Sequence, residues 1–284
     1  MNTQKLSLDG ARLAYDERGS GDPVVLVHGA GTGSAVWGAV PAMLAEDHRV
    51  IRYDRRGFLR SEGSPTPDAR RHVADLAAVL ERVARAPATV FGWSSGGNVA
   101  LALATRRPDL VSSVVVLEPP FHGLRRPRNG LIPALLGAKV RQVRGRRREA
   151  AAHFFRWAGV RRSGGNSFDD APAEVREELL DCAEAMLAEL DPHPAGILMH
   201  HVKAGEVAAC PVPLTWLLSE DSGPWYEQLH ADMQRRIPAM RTVRIERAGH
   251  FAVLDRPGAV ADAIREAAVA PTRRVGATDG RSPR

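Results

Sequence analysis

Ser94 stands at the centre of Gly92-Trp93-Ser94-Ser95-Gly96, a G-x-S-x-G pentapeptide. The run before it, Ala88-Thr89-Val90-Phe91, is β-branched and apolar, and the stretch from Asn98 to Thr105 after it reads as a helix. A strand, a tight turn and a helix would hold the serine on a strained backbone corner. Glycine is needed on either side because a side chain there would strike the neighbouring strand and helix. The hydroxyl would then project at the top of a sheet. A serine hydroxyl is a weak nucleophile at neutral pH, so it needs an imidazole base and N–H donors for a developing oxyanion. The chemistry at stake is acyl transfer.

Donors and base have candidates. Val24-Val25-Leu26-Val27 reads as a buried strand that runs into the flexible loop His28-Gly29-Ala30-Gly31-Thr32-Gly33. These glycines do not make a dinucleotide-binding G-x-G-x-x-G loop, because Ser34 occupies the third glycine position and no acidic residue ends a following strand as that fold requires. Near the other end, Val243-Arg244-Ile245-Glu246 alternates like a late strand and leads into Ala248-Gly249-His250-Phe251. Of the ten histidines, His250 is the candidate base, with Gly249 leaving its ring free to swing toward the serine.

Taken together, these segments and their order resemble the α/β-hydrolase family, in which the serine comes first and the histidine last. The resemblance implies an oxyanion hole built from the backbone N–H groups of Ala30 and Ser95, and a structural role for His28 in steadying the loop. A further segment, Tyr53-Asp54-Arg55-Arg56-Gly57-Phe58-Leu59-Arg60-Ser61, resembles the family's D-x-R-G-x-G-x-S turn, with Leu59 where a glycine is usual. It reads as a structural turn.

The histidine also needs a carboxylate to set its tautomer and stabilise the imidazolium. The usual family position follows the strand Leu214-Thr215-Trp216-Leu217-Leu218, where the turn reads Ser219-Glu220-Asp221-Ser222 and Ser222 falls on the acid position. Either Asp221 slips into place, or Glu220 does, or the acid lies elsewhere. Val114-Val115-Val116-Leu117 is a strongly β-branched strand that ends in Glu118-Pro119-Pro120. Some family members, haloalkane dehalogenases among them, look like this, with the acid after the sixth strand. An ionisable residue directly after a buried strand is costly unless paired, so Glu118 ranks ahead of Asp221 and Glu220.

At 284 residues and 44% hydrophobic, the chain can bury roughly three quarters of its unfolded surface. The resemblance implies an α/β fold: a mostly parallel eight-stranded sheet flanked by helices, with a helical cap inserted after the sixth strand. Residues 1–120 and 208–270 would form the core and 121–207 a helical cap, with 271–284 a disordered polar tail. A hairpin is expected from Leu6 to Arg18, and helices over Val36–Ala45, Ala69–Arg85, Pro224–Ile237 and Gly258–Ala268. No apolar run approaches the roughly 18 residues of a membrane span, and the first residues lack the apolar core of a signal peptide. A cytoplasmic enzyme without membrane association is expected. Cys182 and Cys210 show neither metal-ligand spacing nor a disulfide framework and read as reduced, buried small residues. The net charge of +6 is almost all arginine, with lysine only at positions 5, 139 and 203. No helix-turn-helix, zinc or stacking motif accompanies that charge, so no nucleic-acid partner is expected.

The cap would consist of about four helices, broken at Pro127, Gly145, Gly164-Gly165, Pro172 and Pro192-Pro194. Its charge is split: arginines dominate from Arg125 to Arg162, acids from Asp169 to Asp191. Mutual pairing on a solvated surface is the plain reading, and a gate for anionic substrates the sharper one. Leu131, Ile132, Leu135, Leu136, Phe154, Phe155, Trp157, Leu179, Met186 and Leu187 would roof the pocket, which implies a small-molecule substrate with an apolar portion. The expected function is hydrolysis of a small ester, thioester or lactone by Ser94 and His250, with no metal or organic cofactor. Alternatives on the same residues are C–C bond hydrolysis, proline aminopeptidase action, perhydrolysis, and a slow-turnover or non-catalytic ligand-binding role.

Overall fold

A computed structural model of the chain describes residues 3–33, 35–121, 130–191 and 202–269. The expected tail, and the breaks at Pro127, Pro192 and Pro194, lie outside the described residues. Eight strands form one sheet: β1 (Gln4–Leu8), β2 (Ala11–Arg18), β3 (Pro23–Val27), β4 (Arg49–Tyr53), β5 (Ala88–Trp93), β6 (Val111–Leu117), β7 (Leu214–Ser219) and β8 (Arg241–Ile245). Their order is β1-β2-β4-β3-β5-β6-β7-β8. β1 and β2 form the expected hairpin; β2 also pairs antiparallel with β4, and every later pairing is parallel.

The central strands are apolar on both faces because both are covered, as parallel sheets require. Val25, Val27, Val90, Val114, Val116, Trp216 and Leu218 pack toward one side, while their sequence neighbours Val24, Leu26, Phe91, Val115 and Leu217 pack toward the other. The first side is covered by α2 (Ala69–Val79), α3 (Ser95–Arg106), α8 (Ala204–Ala209) and α9 (Pro224–Arg236), the second by α1 (Val40–Leu44), α10 (Ala252–Asp255) and α11 (Pro257–Val269). Two helices depart from expectation. The one expected over Val36–Ala45 is split by Gly38 at φ +50° into a short turn and α1. The one expected over Ala69–Arg85 widens after Val79 into a π-helical turn that ends at Arg85, in the left-handed region at φ +59°.

Between β6 and β7 lie α4 (Leu131–Val143), α5 (Arg147–Ala158), α6 (Ala173–Asp181), α7 (Ala183–Glu189) and α8. Phe155, Leu179, Met186 and Leu187 join the core cluster on the second side of the sheet, whereas Ile132 and Leu136 are not among the described residues that line the Ser94 cavity. They are 49% and 61% exposed, because α4 buries Leu131, Ala134 and Ala138 instead and approaches α5 closely at Gly137, where a Cβ would lie 2.2 Å from His153 Nε2. The split charge resolves into pairs: Arg148 bridges Glu177 and Asp181, Arg156 meets Asp169, and Arg161 meets Asp170. Cys182 is buried and Cys210 only half-buried; both are free thiols, pushed up in pKa by burial. No described helix is long and apolar enough to cross a membrane.

Candidate active site

The serine corner follows from the lack of room around it. Ser94 sits between β5 and α3 at φ +52°, ψ −126°, a conformation that L-residues avoid unless their surroundings impose it. A Cβ on Gly96 would lie 2.2 Å from the Val27 carbonyl oxygen, and one on Gly92 would lie 2.6 Å from the Gly96 oxygen. The bend can therefore form only where both flanking residues are glycine. The Ser94 N–H donates to the Leu117 oxygen at 2.9 Å, which ties the corner to β6. Its hydroxyl does not cap α3, and the residue lines a cavity together with Ala30, Ser95 and Glu118.

Glu118 ends β6 at φ +45° and is almost completely buried. Its carboxylate accepts three hydrogen bonds: from the Ser219 N–H at 3.0 Å, the Ser222 hydroxyl at 2.9 Å, and His250 Nδ1 at 2.8 Å. An acceptor on Nδ1 leaves Nε2 unprotonated in the neutral ring, which is the tautomer a general base requires. Of the three acids weighed for this role, the structure brings only Glu118 to the ring. Asp221 is a correction: its carboxylate accepts from the Ser163 N–H at 2.7 Å and the Ser163 hydroxyl at 2.6 Å, in an exposed setting away from His250. The physical reason is the register of the turn after β7, which turns Ser222 inward and Asp221 outward. Glu220, the third candidate, is exposed at the surface and its backbone N–H bonds the Ile245 oxygen.

His250 is fixed from several sides. Its carbonyl accepts from Trp93 Nε1 at 2.9 Å, and the Tyr226 ring stacks on the imidazole at 4.6 Å with a 15° tilt. Burial and the nearby Glu118 push the Tyr226 phenol well up, so it stays neutral and donates to the Ala158 oxygen at 3.2 Å. Gly249 serves a purpose other than swing: a Cβ there would lie 2.3 Å from Ser167 Oγ, on the loop between α5 and α6. The glycine is a close-approach position. Its N–H donates to Asp255 at 2.8 Å, and Asp255 is paired with Arg161.

The N–H of Ala30 shares a planar trans peptide with the Gly29 carbonyl, so whatever holds the carbonyl aims the N–H the opposite way. The Gly29 oxygen is held by His28 Nδ1 at 2.8 Å, by Arg55 Nη2 at 3.0 Å and by the Thr32 hydroxyl at 3.2 Å. His28 Nε2 accepts from the Arg55 N–H at 2.8 Å, which leaves Nδ1 as the donor to Gly29. Burial, reinforced by the Arg55 charge, keeps His28 neutral by lowering its pKa well below the usual range. Ser95 opens α3, where backbone N–H groups have no partner within the helix and carry the positive end of the dipole.

Sequence reasoning missed Arg55, Glu189, Ser222 and Tyr226 as parts of this site. Arg55 and Glu189 form a buried ion pair, each about 1% exposed, and the Ser95 hydroxyl donates to Glu189 at 3.0 Å. Arg55 stood in plain view within the D-R-R-G turn, while Glu189 was hidden in the acidic block of the insertion. Leu59, at the position where glycine is usual, does sit in the left-handed region, at φ +38°. The cavity walls are apolar, built by Phe121, Leu131, Phe154, Trp157, Trp225 and Leu229. Among the described residues no cluster of three or more His, Cys, Asp or Glu could hold a metal ion.

Residues 24–263 match the family described as the alpha/beta hydrolase family. The chain belongs to this family. Within it, 107 residues are 42% identical to a putative non-heme bromoperoxidase, BpoC, of Mycobacterium tuberculosis, covering 37% of this chain and 41% of that one. A stretch of 122 residues is 36% identical to the uncharacterized hydrolase YraK of Bacillus subtilis, covering 42% and 45% of the two chains. The match thus spans less than half the length of these curated relatives. Among solved structures, the carboxylesterase CesB of Bacillus subtilis superposes with a TM-score of 0.78 at 18% identity, over 94% of this chain and 90% of that one. That likeness establishes the alpha/beta hydrolase fold across the chain.

Proposed function

We propose that the protein is a serine hydrolase that cleaves a small ester, thioester or lactone with an apolar portion through an acyl-enzyme. The single observation that carries this reading is the buried His250–Glu118 hydrogen bond of 2.8 Å beside the cavity that Ser94 lines. Ser94 Oγ attacks the carbonyl carbon while His250 Nε2 takes its proton, and the carbonyl electron pair moves onto oxygen. The N–H groups of Ala30 and Ser95 stabilise that oxyanion, and Glu118 stabilises the imidazolium. Collapse expels the alcohol or thiol, which leaves with the proton from His250. Water, deprotonated by the same ring, then attacks the acyl-enzyme and regenerates Ser94. A serine rather than a carboxylate at the corner argues against dehalogenase or epoxide-hydrolase chemistry, which needs an alkyl-ester intermediate.

The substrate class rests on the walls. Among the described residues, the side chains that line the cavity are apolar or aromatic apart from the two serines and the carboxylates of Glu118 and Glu189, and none is a lysine or arginine. Such a pocket favours neutral, apolar acyl or alcohol groups over anionic ones. The name of the mycobacterial relative favours one variation: hydrogen peroxide attacking the same acyl-enzyme in place of water, which releases a peracid.

The test is labelling with a fluorophosphonate, with p-nitrophenyl acetate and butyrate turnover measured in parallel. Stoichiometric modification of Ser94, and a turnover lost in Ser94→Ala, are expected. A protein that is not labelled and does not turn over either ester overturns the reading and favours a ligand-binding role.

A further inference from the structure

One carboxylate of the insertion is linked to both residues that carry the proposed oxyanion donors, to Ala30 through Arg55 and the Gly29 carbonyl and to Ser95 through its hydroxyl. Glu189 ends α7, and its two oxygens are divided between the two walls of the hole. Oε1 pairs with Arg55 Nη1, whose other terminal nitrogen donates to the Gly29 oxygen at 3.0 Å and so sets the peptide that carries the Ala30 N–H. Oε2 accepts from the Ser95 hydroxyl at 3.0 Å, and Arg55 Nη2 reaches the same hydroxyl at 3.3 Å. Glu189 also lines the cavity itself, beside Ala30, Ser94 and Ser95. A buried ion pair of this kind is a poor source of net stability, because desolvating both charges cancels much of their attraction. What it does supply is a fixed geometry, since each charge is satisfied in only one arrangement.

We propose that Glu189 is a positioning residue through which the helices between β6 and β7 set the direction of both oxyanion N–H groups. With the insertion seated, Arg55 is neutralised and both donors converge. With it displaced, Arg55 loses its counter-charge, the Gly29 peptide loses one of its anchors and the Ser95 hydroxyl loses its acceptor. The oxyanion hole is then complete only when the cavity is roofed, which ties transition-state stabilisation to the exclusion of water. This inference rests on the acyl-transfer reading above.

Three variants test it: Ser95→Ala, Glu189→Gln and Glu189→Ala. Ser95→Ala keeps the ion pair and the backbone N–H and removes only the hydroxyl, so it remains informative if either Glu189 variant does not fold. Each is measured for kcat and KM on p-nitrophenyl butyrate and for inhibition by an aryl trifluoromethyl ketone. Ser94 Oγ adds to the carbonyl carbon of that ketone, His250 takes the proton, and the oxygen becomes a hemiketal oxyanion in the hole. Glu189→Ala is expected to lower kcat about a hundredfold, the lower end of the loss of one oxyanion donor, and Ser95→Ala, which keeps both N–H groups, about tenfold. KM is expected to stay within about threefold while the ketone inhibition constant rises in step with kcat. Glu189→Gln should recover part of the loss, because its amide oxygen still accepts from one of the two partners.

A silent Ser95→Ala overturns the proposal. So does any variant whose loss lies in KM alone, or whose kcat falls with the ketone affinity unchanged. Failure of the acyl-transfer reading is separate: there the unmodified protein is not labelled by fluorophosphonate at all, whereas a labelled, active protein with silent variants sinks only the role of Glu189.

Discussion

Replacing Glu118 with glutamine is the sharpest probe of the acid assignment. The native carboxylate accepts from Ser219 N–H, Ser222 hydroxyl and His250 Nδ1 at 3.0, 2.9 and 2.8 Å, all in a buried setting. An amide has one oxygen and one NH₂. If its oxygen keeps the Ser219 N–H, its NH₂ faces Ser222 and His250, and the ring must turn its unprotonated nitrogen toward the amide. The proton then sits on Nε2, which can no longer take one from Ser94. A wrong tautomer of this kind costs on the order of 10⁴-fold in kcat, equivalent to about 5 kcal/mol of transition-state stabilisation. Asp221→Asn, by contrast, disturbs only the exposed contacts to Ser163 and should change kcat less than about threefold, as surface changes do. The assay is p-nitrophenyl butyrate hydrolysis at neutral pH, with circular dichroism to verify folding. A folded Glu118→Gln within tenfold of the parent, or an Asp221→Asn that loses more than a hundredfold, would refute the reasoning.

Ser94→Ala should lower kcat about 10⁶-fold and leave stability within about 1 kcal/mol, read by ester turnover and thermal melting; residual turnover near the parent level would move the nucleophile elsewhere. Burial first and the Arg55 charge second lower His72 from 6.5 to about 4, so the unfolded chain takes up a proton there over a range where the folded one does not. The stability this contributes is complete above pH 6.5 and is lost as pH falls toward 4, a change of roughly 3 kcal/mol; His28 acts in the same direction. Melting temperature measured from pH 7 to 4.5 should therefore fall, and His72→Gln should flatten the curve. A parent protein with no such slope contradicts the assignment. Gly249→Ala places a Cβ 2.3 Å from Ser167 Oγ and should lower kcat about tenfold by displacing His250. Ser167→Ala in the same chain should restore most of it, and purely additive losses would argue that the glycine serves the backbone alone.

The sheet was legible because buried parallel strands are β-branched and apolar on both faces, so β3, β5, β6 and β7 stand out as uninterrupted runs. The serine corner was legible because its glycines fall at a fixed spacing around the serine, although only Gly92 is forced by backbone a few residues on, Gly96 being forced by the Val27 carbonyl at the end of β3. Helix limits were harder: nothing in Val36 to Ala45 signals that Gly38 will adopt φ +50° and end the turn. The acid could be narrowed but not chosen, since the choice depends on which residue of the turn after β7 faces inward. That is a matter of three-dimensional register, not composition. Glu189 was invisible for a related reason. Within the stretch from Asp169 to Asp191 every acid looks alike, and only packing separates the buried Glu189 from the exposed Glu177 and Asp181. Ile132 and Leu136 show the converse: apolar residues at helical spacing that packing left outside.

The Ser222–Glu118 contact constrains how such a site can change over generations. Hydroxyl and carboxylate are reciprocal here, one on each of two adjacent strand ends, and each makes sense only beside the other. A lineage that relocated its acid by substituting Glu118 first would pass through a form with no counter-charge for the imidazole. Substituting Ser222 with aspartate first would instead produce two acids a hydrogen bond apart, one of which can hold a proton while the other still serves the ring. The second route keeps a counter-charge beside the imidazole at every step, so the chemistry orders the two substitutions: aspartate at 222 before loss of the carboxylate at 118.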